Sequence, residues 1–558
     1  MTRVLHLLLS ALLLYPQERS QSGLELVAAR PMVAQPERAP KAMVACVNPL
    51  AAEAGLAILK RGGNAIDAAV AVGMALAVVH PEAGNLGGSG YLLVAMRDGR
   101  TGVIDYGGTA PAASKPGMFA TPSEANIGYK SVAVPGTPAG LGLAHEKFGK
   151  LAWSAALEPA YRLAQKGFPA SLRMELILKL QVPVMKKYPE SAKIFLHGGD
   201  TPLKQGERVV QPELARTIAR LRKGGWHEFY RGETAKRIAT DMAAHGGLIT
   251  YDDLQNYEAK LLTPLKTTYR GFPVLTAPPS SSGGVALVVA LNVLESHQLP
   301  LGSEGSARAR HLQIEALRRG FAARRQIMTD GSLTYEEAIG KEYATQAGAN
   351  LNEDRATPQQ RGRIAETETG TESSDTTHFT VVDEAGNVVT NTYTLSGFYG
   401  SQVMAKGTGV LLNNHMSVFS NRPGRADSVA PNKRYASTMA PTIIARPDGT
   451  PWVAFGTPGG ATIPSTLFQI VTNIIDFKMS LRDALEFPRV HFDAVPNRID
   501  AEPAALVFDV AERLQQMGHT LNPKLRSQGD VQAVMIEEGS NWRVGWSDGR
   551  RGGSVKGY

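Results

Sequence analysis

Thr376 opens the run Thr376-Thr377-His378-Phe379-Thr380-Val381-Val382-Asp383, and it is the residue best placed for nucleophilic chemistry. A threonine hydroxyl in mid-chain is a weak nucleophile, because nothing beside it is bound to take its proton. Scission of the Asp375–Thr376 bond changes that. Thr376 would then carry a free α-amine able to act as base for its own hydroxyl. Such an amine titrates near pH ~7.7–8, close to the working pH that a general base needs. Before Thr376 lies the most polar stretch of the chain, about 350 to 375, with almost no apolar residue after Ile364. That composition suits a solvated, accessible segment, and it ends abruptly at Thr376.

The elements around Thr376 follow from periodicity. From Thr377 to Asp383 the pattern alternates, Ala385-Gly386-Asn387 turns, and Val388 to Leu395 returns, which predicts a β-hairpin. Thr442–Ala445 and Trp452–Phe455, joined through Pro447-Asp448-Gly449, predict another. Gly456-Thr457-Pro458-Gly459-Gly460 then leads into an amphipathic helix from about Ile463 to Phe477. Upstream, Met43–Val47 reads as a buried strand, and Asn48 with Pro49 opens a helix that Gly62-Gly63 ends. Asn64 starts a second helix, Ala65–Val79, apolar on nearly every side and so deeply buried. The glycine density of Gly84-Asn85-Leu86-Gly87-Gly88-Ser89-Gly90 means backbone passing close to something. GxxxxGK[ST] is missing and strands follow (Tyr91–Met96, then Thr101–Tyr106), so a nucleotide site is not indicated. Amphipathic helices fill about 140 to 260, and Ala277–Gly284 leads into the apolar helix Val285–Leu294. Paired strands mixed with helices argue for helices packed on stacked antiparallel sheets, an α+β protein.

At 558 residues a length prior suggests about three or four domains, or one large two-layer core. Lys and Arg number 59 against 51 Asp and Glu, a formal net charge of +8. The basic residues are scattered and no nucleic-acid motif accompanies them, so a solvated basic surface is the reading. The single cysteine, Cys46, cannot form an internal disulfide and sits in an apolar strand. Arg3 followed by the Leu-rich 4–15 resembles a secretory signal, too short to span a bilayer, with residues 1–22 as its extent and Ser20-Gln21-Ser22 as the nearest cleavage site. No other run is long and uncharged enough to cross a membrane. His378, on the same strand face as Thr376, has a local role or packs. A metal hydrolase using His378, His415 or His491 lacks HExxH or comparable spacing, and no cofactor is implied.

Long motifs carry a resemblance: GGNAIDAAVAVGMAL at 62–76, HPEAGNLGGSG at 80–90, AVPGTPAG at 133–140, APPSSSGG at 277–284, TTHFTVVDEAGNVV at 376–389, GVLLNN at 409–414, PNKR at 431–434 and TPGGATI at 457–463. Together they make the chain similar to the γ-glutamyltransferases, N-terminal-nucleophile hydrolases. The resemblance implies a four-layer αββα sandwich and a precursor that cuts itself between Asp375 and Thr376. A large subunit, 23–375, would then pair with a small one, 376–558, outside the cytoplasm in the periplasm or medium. It also implies an acyl-enzyme on Thr376, a small amide substrate, and an oxyanion held by the amides of Gly459 and Gly460. Glycines at a strand-to-helix turn leave such amides uncovered, and one donor is worth about 3–4 kcal/mol in the transition state. Thr394 matches a threonine that hydrogen-bonds the nucleophile. Ser437 and Thr438 match two serines that contact the glutamyl carboxylate.

The departures concern charge. Gly107 stands where the family has the arginine that binds the α-carboxylate. Val418 stands where it has the aspartate that binds the α-amine. His415 replaces a glutamine, and Ser396 an asparagine or glutamate. An ammonium desolvated without its partner costs several kcal/mol. Acyl groups lacking the α-amine are therefore expected, glutaryl being the simplest, as in the cephalosporin acylases that resemble this family. An ordinary γ-glutamyltransferase with an unusual pocket and a processed but idle binding protein are the competing readings. An arginine entering from elsewhere stays open.

Overall fold

The structure is a computed structural model that describes residues 34–329, 331–358, 375–494 and 497–558. Two seven-stranded sheets carry it, antiparallel at every pairing. In the first, the strands run in the order Ser554–Gly557, Met43–Cys46, Thr376–Val382, Val388–Thr394, Ser89–Ala95, Thr101–Asp105 and Lys260–Leu262. In the second the order is Glu37–Ala39, Arg543–Ser547, Gln532–Ile536, Pro451–Gly456, Thr442–Ala445, Phe272–Thr276 and Leu265–Tyr269.

Side-chain alternation makes the layers. Val44, Cys46, Leu92, Val94, Phe379 and Val381 pack outward into one core with the helices Pro49–Lys60, Ala65–Val79 and Trp153–Lys166. Met43, Ala45, Leu93 and Ala95 point the other way, into a second core with the inner strands and the helices Ser282–Leu294 and Ile463–Ile475. Helix, sheet, sheet and helix stack in that order, the α+β αββα sandwich. Strands from both ends of the chain enter both sheets, so Glu37–Tyr558 form one compact unit rather than the three or four domains that length alone suggests. Residues 1–22 and 359–374, where the leader and most of the polar run before Thr376 fall, lie outside the described residues.

Local chemistry explains the elements that matter for the site. The Asn48 side chain caps Pro49–Lys60 by accepting from the Leu50 N–H at 3.0 Å. Asn64 and Asp67 form a capping box on Ala65–Val79, which is buried at every position. The glycine run does mark close approach. A Cβ at Gly88 would strike the Thr394 carbonyl oxygen, and one at Gly87 that of Leu411. The helix Ile463–Ile475 differs from its amphipathic reading, since all its residues are buried. Its polar side is turned onto protein: Gln469 accepts from Arg310 at 3.1 Å and from the Val490 N–H at 3.0 Å, and Ser465 meets His491 at 2.8 Å. The helix entered at Val285 begins at Ser282, whose N–H donates to Ser437 O at 2.8 Å.

Candidate active site

Thr376 is the first residue of a central strand of the first sheet and is 5% exposed. His378 and Thr380 on the same strand look toward the second sheet. The His378 ring lies against Gly456, and the Thr380 hydroxyl donates to Gln532 O at 3.0 Å. By the two-residue period Thr376 faces the same gap, at the end where the second sheet's connections converge. Across the ladder from it stands Thr394. The Thr394 hydroxyl donates to Asp375 O at 2.9 Å and accepts from the Ser396 N–H at 2.8 Å. Ser396 holds a left-handed φ of +79°, uncommon for a non-glycine residue, and this turns the chain toward Asn414.

A small pocket opens at Thr376. Thr394, Ser396, Ser437, Thr438 and His415 give it polar walls; Val418, Tyr435, Met439 and Ile463 give it apolar ones. Gly460 completes the lining. Among the described residues no Asp, Glu, Lys or Arg lines it. Besides Thr394, two of these hydroxyls are engaged in part. Thr438 donates to Gly460 O at 2.8 Å, and Ser437 accepts from the Met439 N–H at 3.0 Å.

Gly459 and Gly460 follow the strand Pro451–Gly456, with φ of +142° and +55°. They lead through a 3₁₀ turn, Gly460–Thr462, into Ile463–Ile475. Neither amide N–H has a partner among the described residues. An amide pair at a turn into a helix beside a hydroxyl can hold a developing oxyanion.

His415 starts the 3₁₀ turn His415–Val418. Its ring stacks on Tyr435 with centroids 4.6 Å apart at 22°. Both ring nitrogens look to one hydroxyl, Ser89 Oγ, at 3.4 and 3.5 Å, while that hydroxyl bonds the Tyr435 OH at 2.7 Å. Complete burial pushes the His415 imidazole down to about 3, so it is neutral.

Gly107 lies outside this lining. A Cβ there would stand 3.1 Å from Asp105 Oδ1 and 3.7 Å from an Arg434 nitrogen. Arg434 therefore takes the ground beside Gly107. It is held by Asp105 at 3.2 Å, Gly107 O at 2.7 Å, the Tyr257 OH at 3.3 Å and Glu258 O. Sequence reasoning missed Arg434, Tyr435 and Ser89 as neighbours of the site. The PNKR run was the one signal for the arginine, and nothing in the order of residues tied it to Gly107.

His378 packs between the sheets. Its Nδ1 meets Thr392 Oγ1 at 2.7 Å, and its Nε2 meets the hydroxyls of Thr390 at 2.8 Å and Thr380 at 3.1 Å. Burial pushes it down to about 3. His378, His415 and His491 do not gather. Among the described residues the one close trio of metal-type ligands is His311, Glu315 and His519. There Arg318 and Arg319 already hold the Glu315 carboxylate, at 3.1 and 2.8 Å, a setting that repels a cation.

The αββα sandwich, with a hydroxyl residue heading a central strand, is the architecture of the N-terminal-nucleophile hydrolases. The model of the gamma-glutamyltranspeptidase family matches residues 51–558, and the chain belongs to that family. It is 37% identical over 527 residues to a glutathione hydrolase proenzyme of Escherichia coli K12, covering 90% of each chain. It is 36% identical over 516 residues to the acylase ACY 1 proenzyme of Pseudomonas sp. SE83, again covering 90% of each. Among solved structures, the cephalosporin acylase from Bacillus halodurans superposes with a TM-score of 0.84 at 28% identity, over 95% of this chain and 98% of that one. Among the described residues no helix is long and apolar enough to cross a membrane.

Proposed function

We propose that this chain is a self-processing amidase and acyltransferase whose nucleophile is Thr376, freed by scission of the Asp375–Thr376 bond. The pieces 23–375 and 376–558 stay together as a heterodimer, in the periplasm or medium once the 1–22 leader is removed. The Thr376 hydroxyl attacks a substrate amide carbonyl and gives its proton to the α-amine. The amides of Gly459 and Gly460 hold the oxyanion, and the proton passes to the departing amine. Water or a second amine then takes the acyl group from the ester.

The preferred acyl groups lack an α-amine. Glutaryl amides, such as glutaryl-7-aminocephalosporanic acid, are favoured over γ-glutamyl amides. One observation carries this reading: among the described residues, the pocket beside Thr376 has no acidic side chain to pair an ammonium, and Val418 occupies its wall. The relation to an acylase proenzyme supports it. The relation to a glutathione hydrolase proenzyme favours the second reading, a γ-glutamyl hydrolase and transferase with a divergent pocket.

The test joins mass spectrometry of the purified protein with kcat/KM on glutaryl- and γ-glutamyl-p-nitroanilide. Two fragments, the smaller beginning at Thr376, and faster glutaryl turnover are expected, with both activities lost in Thr376→Ala. An intact polypeptide with full activity would refute the mechanism. A large preference for the γ-glutamyl substrate would leave the mechanism standing and reverse the specificity.

A further inference from the structure

We propose that His415 recognises the far carboxylate of a dicarboxylic acyl donor, and that it takes up a proton from solvent as it does so. This rests on the acyl-donor reading above and names the group that makes a carboxylate acceptable in a pocket whose described lining holds no Asp, Glu, Lys or Arg.

A carboxylate taken from water into a small cavity needs a cation or several donors. The cation nearest Gly107 is Arg434, whose guanidinium is held by Asp105, Gly107 O, the Tyr257 OH and Glu258 O. Thr438 gives its hydroxyl proton to Gly460 O. Ser437 keeps a proton to donate, but a hydroxyl carries no charge. The α-amine that scission gives Thr376 is the other lining group able to carry a positive charge, but it serves the reacting carbonyl; at the far end of the acyl chain, among the described lining residues, that leaves His415.

Its surroundings suit that change. Both ring nitrogens share one long contact, to Ser89 Oγ, so the ring's hydrogen-bonding capacity is underused. Tyr435 covers one ring face, and Gly108 lies behind Nδ1, where an added Cβ would sit 3.4 Å away. On its own turn the His415 N–H is bound to Asn413 Oδ1, and Val418 is apolar. The titratable and charged groups around it are therefore Tyr435 at the ring face, the Asp105–Arg434 pair beyond Gly107 and, on the same pocket, the α-amine that Thr376 carries after scission, whose titration the pentanoyl substrate reports equally. Burial by the protein alone holds the imidazole near 3. An anion seated against it favours the charged form and raises that value.

The sign follows from linkage. Binding that takes up a proton weakens as pH rises from the free-site value toward the higher value in the complex, then levels. The experiment uses mature enzyme with glutaryl-p-nitroanilide and with pentanoyl-p-nitroanilide, which has the same chain length and no far carboxylate. KM for the glutaryl substrate is expected to rise at least about fivefold between about pH 5.5 and about pH 7.5, with pentanoyl KM steady within about twofold. His415→Gln should remove the glutaryl slope. Calorimetry of the wild type in buffers of different ionisation enthalpy should find more proton uptake with glutarate than with pentanoate. That measurement decides the matter if the variant does not mature.

A flat glutaryl KM, an equal slope for pentanoyl, a slope that persists in His415→Gln, or equal proton uptake by the two acids would overturn the proposal. Any of these alongside normal glutaryl turnover would leave the acyl-donor reading intact. No glutaryl turnover at all would overturn both.

Discussion

Thr394 stands directly across the β-ladder from Thr376, and its hydroxyl reaches past that residue to donate 2.9 Å to the carbonyl oxygen of Asp375. That oxygen belongs to the bond whose scission would free Thr376. A donor on it stabilises the negative charge that grows as a hydroxyl attacks the carbonyl carbon, and such donors are worth about 10²–10³ in rate. Thr394→Val keeps the shape and loses the donor. Its precursor should mature about 100-fold more slowly on a gel time course, whereas Thr394→Ser should mature at close to the normal rate. A valine variant that matures as fast as wild type would remove Thr394 from the processing step.

The turn at Gly459 admits only glycine. With φ at +142°, an added Cβ would also stand 2.5 Å from Thr462 Oγ1. Gly459→Ala should therefore tilt the two amides, at a strain of about 1–3 kcal/mol. Amides that hold an oxyanion act on the transition state, so under the proposed mechanism kcat should fall by about 10² while KM moves less than about threefold. Loss confined to KM would mean that the turn binds substrate without holding an oxyanion.

Val418 is the simplest place to change specificity. It lines the pocket on the same short turn as His415. Val418→Asp puts an anion where an α-ammonium would arrive, so kcat/KM for γ-glutamyl-p-nitroanilide should rise about tenfold or more. The same charge repels a far carboxylate, so glutaryl turnover should fall by a similar factor. Adding Gly107→Arg should gain little, because Arg434 already stands close to that position. An unchanged ratio of the two activities in Val418→Asp would mean that position 418 does not meet the α-carbon of the acyl group.

How far the sequence could be read depended on whether the partners were near in the chain. The hairpin from Thr376 to Thr394 was legible because period two and an Ala-Gly-Asn turn are local signals. The cap at Asn48 and the close approaches at Gly87 and Gly88 were legible for the same reason. The pocket wall was less so. Val418 and Gly107 could be named only as departures from a family pattern, and nothing local placed Arg434 beside Gly107, 327 positions away. Polarity misled at Ile463–Ile475. Ser465, Gln469, Thr472 and Asn473 look like a solvent face, yet they are buried against His491, Arg310, Gln313, Val490 and Ala484, which satisfy them. Polar periodicity reports what a side chain needs, and another part of the protein can supply it as well as water can.

Asp530 shows what such burial does when a partner is supplied to one oxygen alone. Its N–H donates to Thr457 Oγ1 at 2.8 Å, tying it to the turn that carries Gly459 and Gly460. One carboxyl oxygen accepts from Gln532 at 3.2 Å; the other is buried with no hydrogen-bond partner. Burial, reinforced by the Asp548 charge, pushes the carboxyl up to about 7, against an unfolded value of about 3.9. The folded state then binds the proton more tightly than the unfolded one. Its contribution to stability is complete below about pH 4 and is lost as pH rises through about 7. Asp530→Asn cannot lose a proton, so any fixed penalty of the amide is the same at every pH. The melting temperature of Asp530→Asn relative to wild type should therefore be more favourable at pH 8 than at pH 5, by about 2 °C or more. Equal differences at the two pH values would show that Asp530 is ionised in the folded protein throughout, and that a buried negative charge lies beside the turn that carries Gly459 and Gly460.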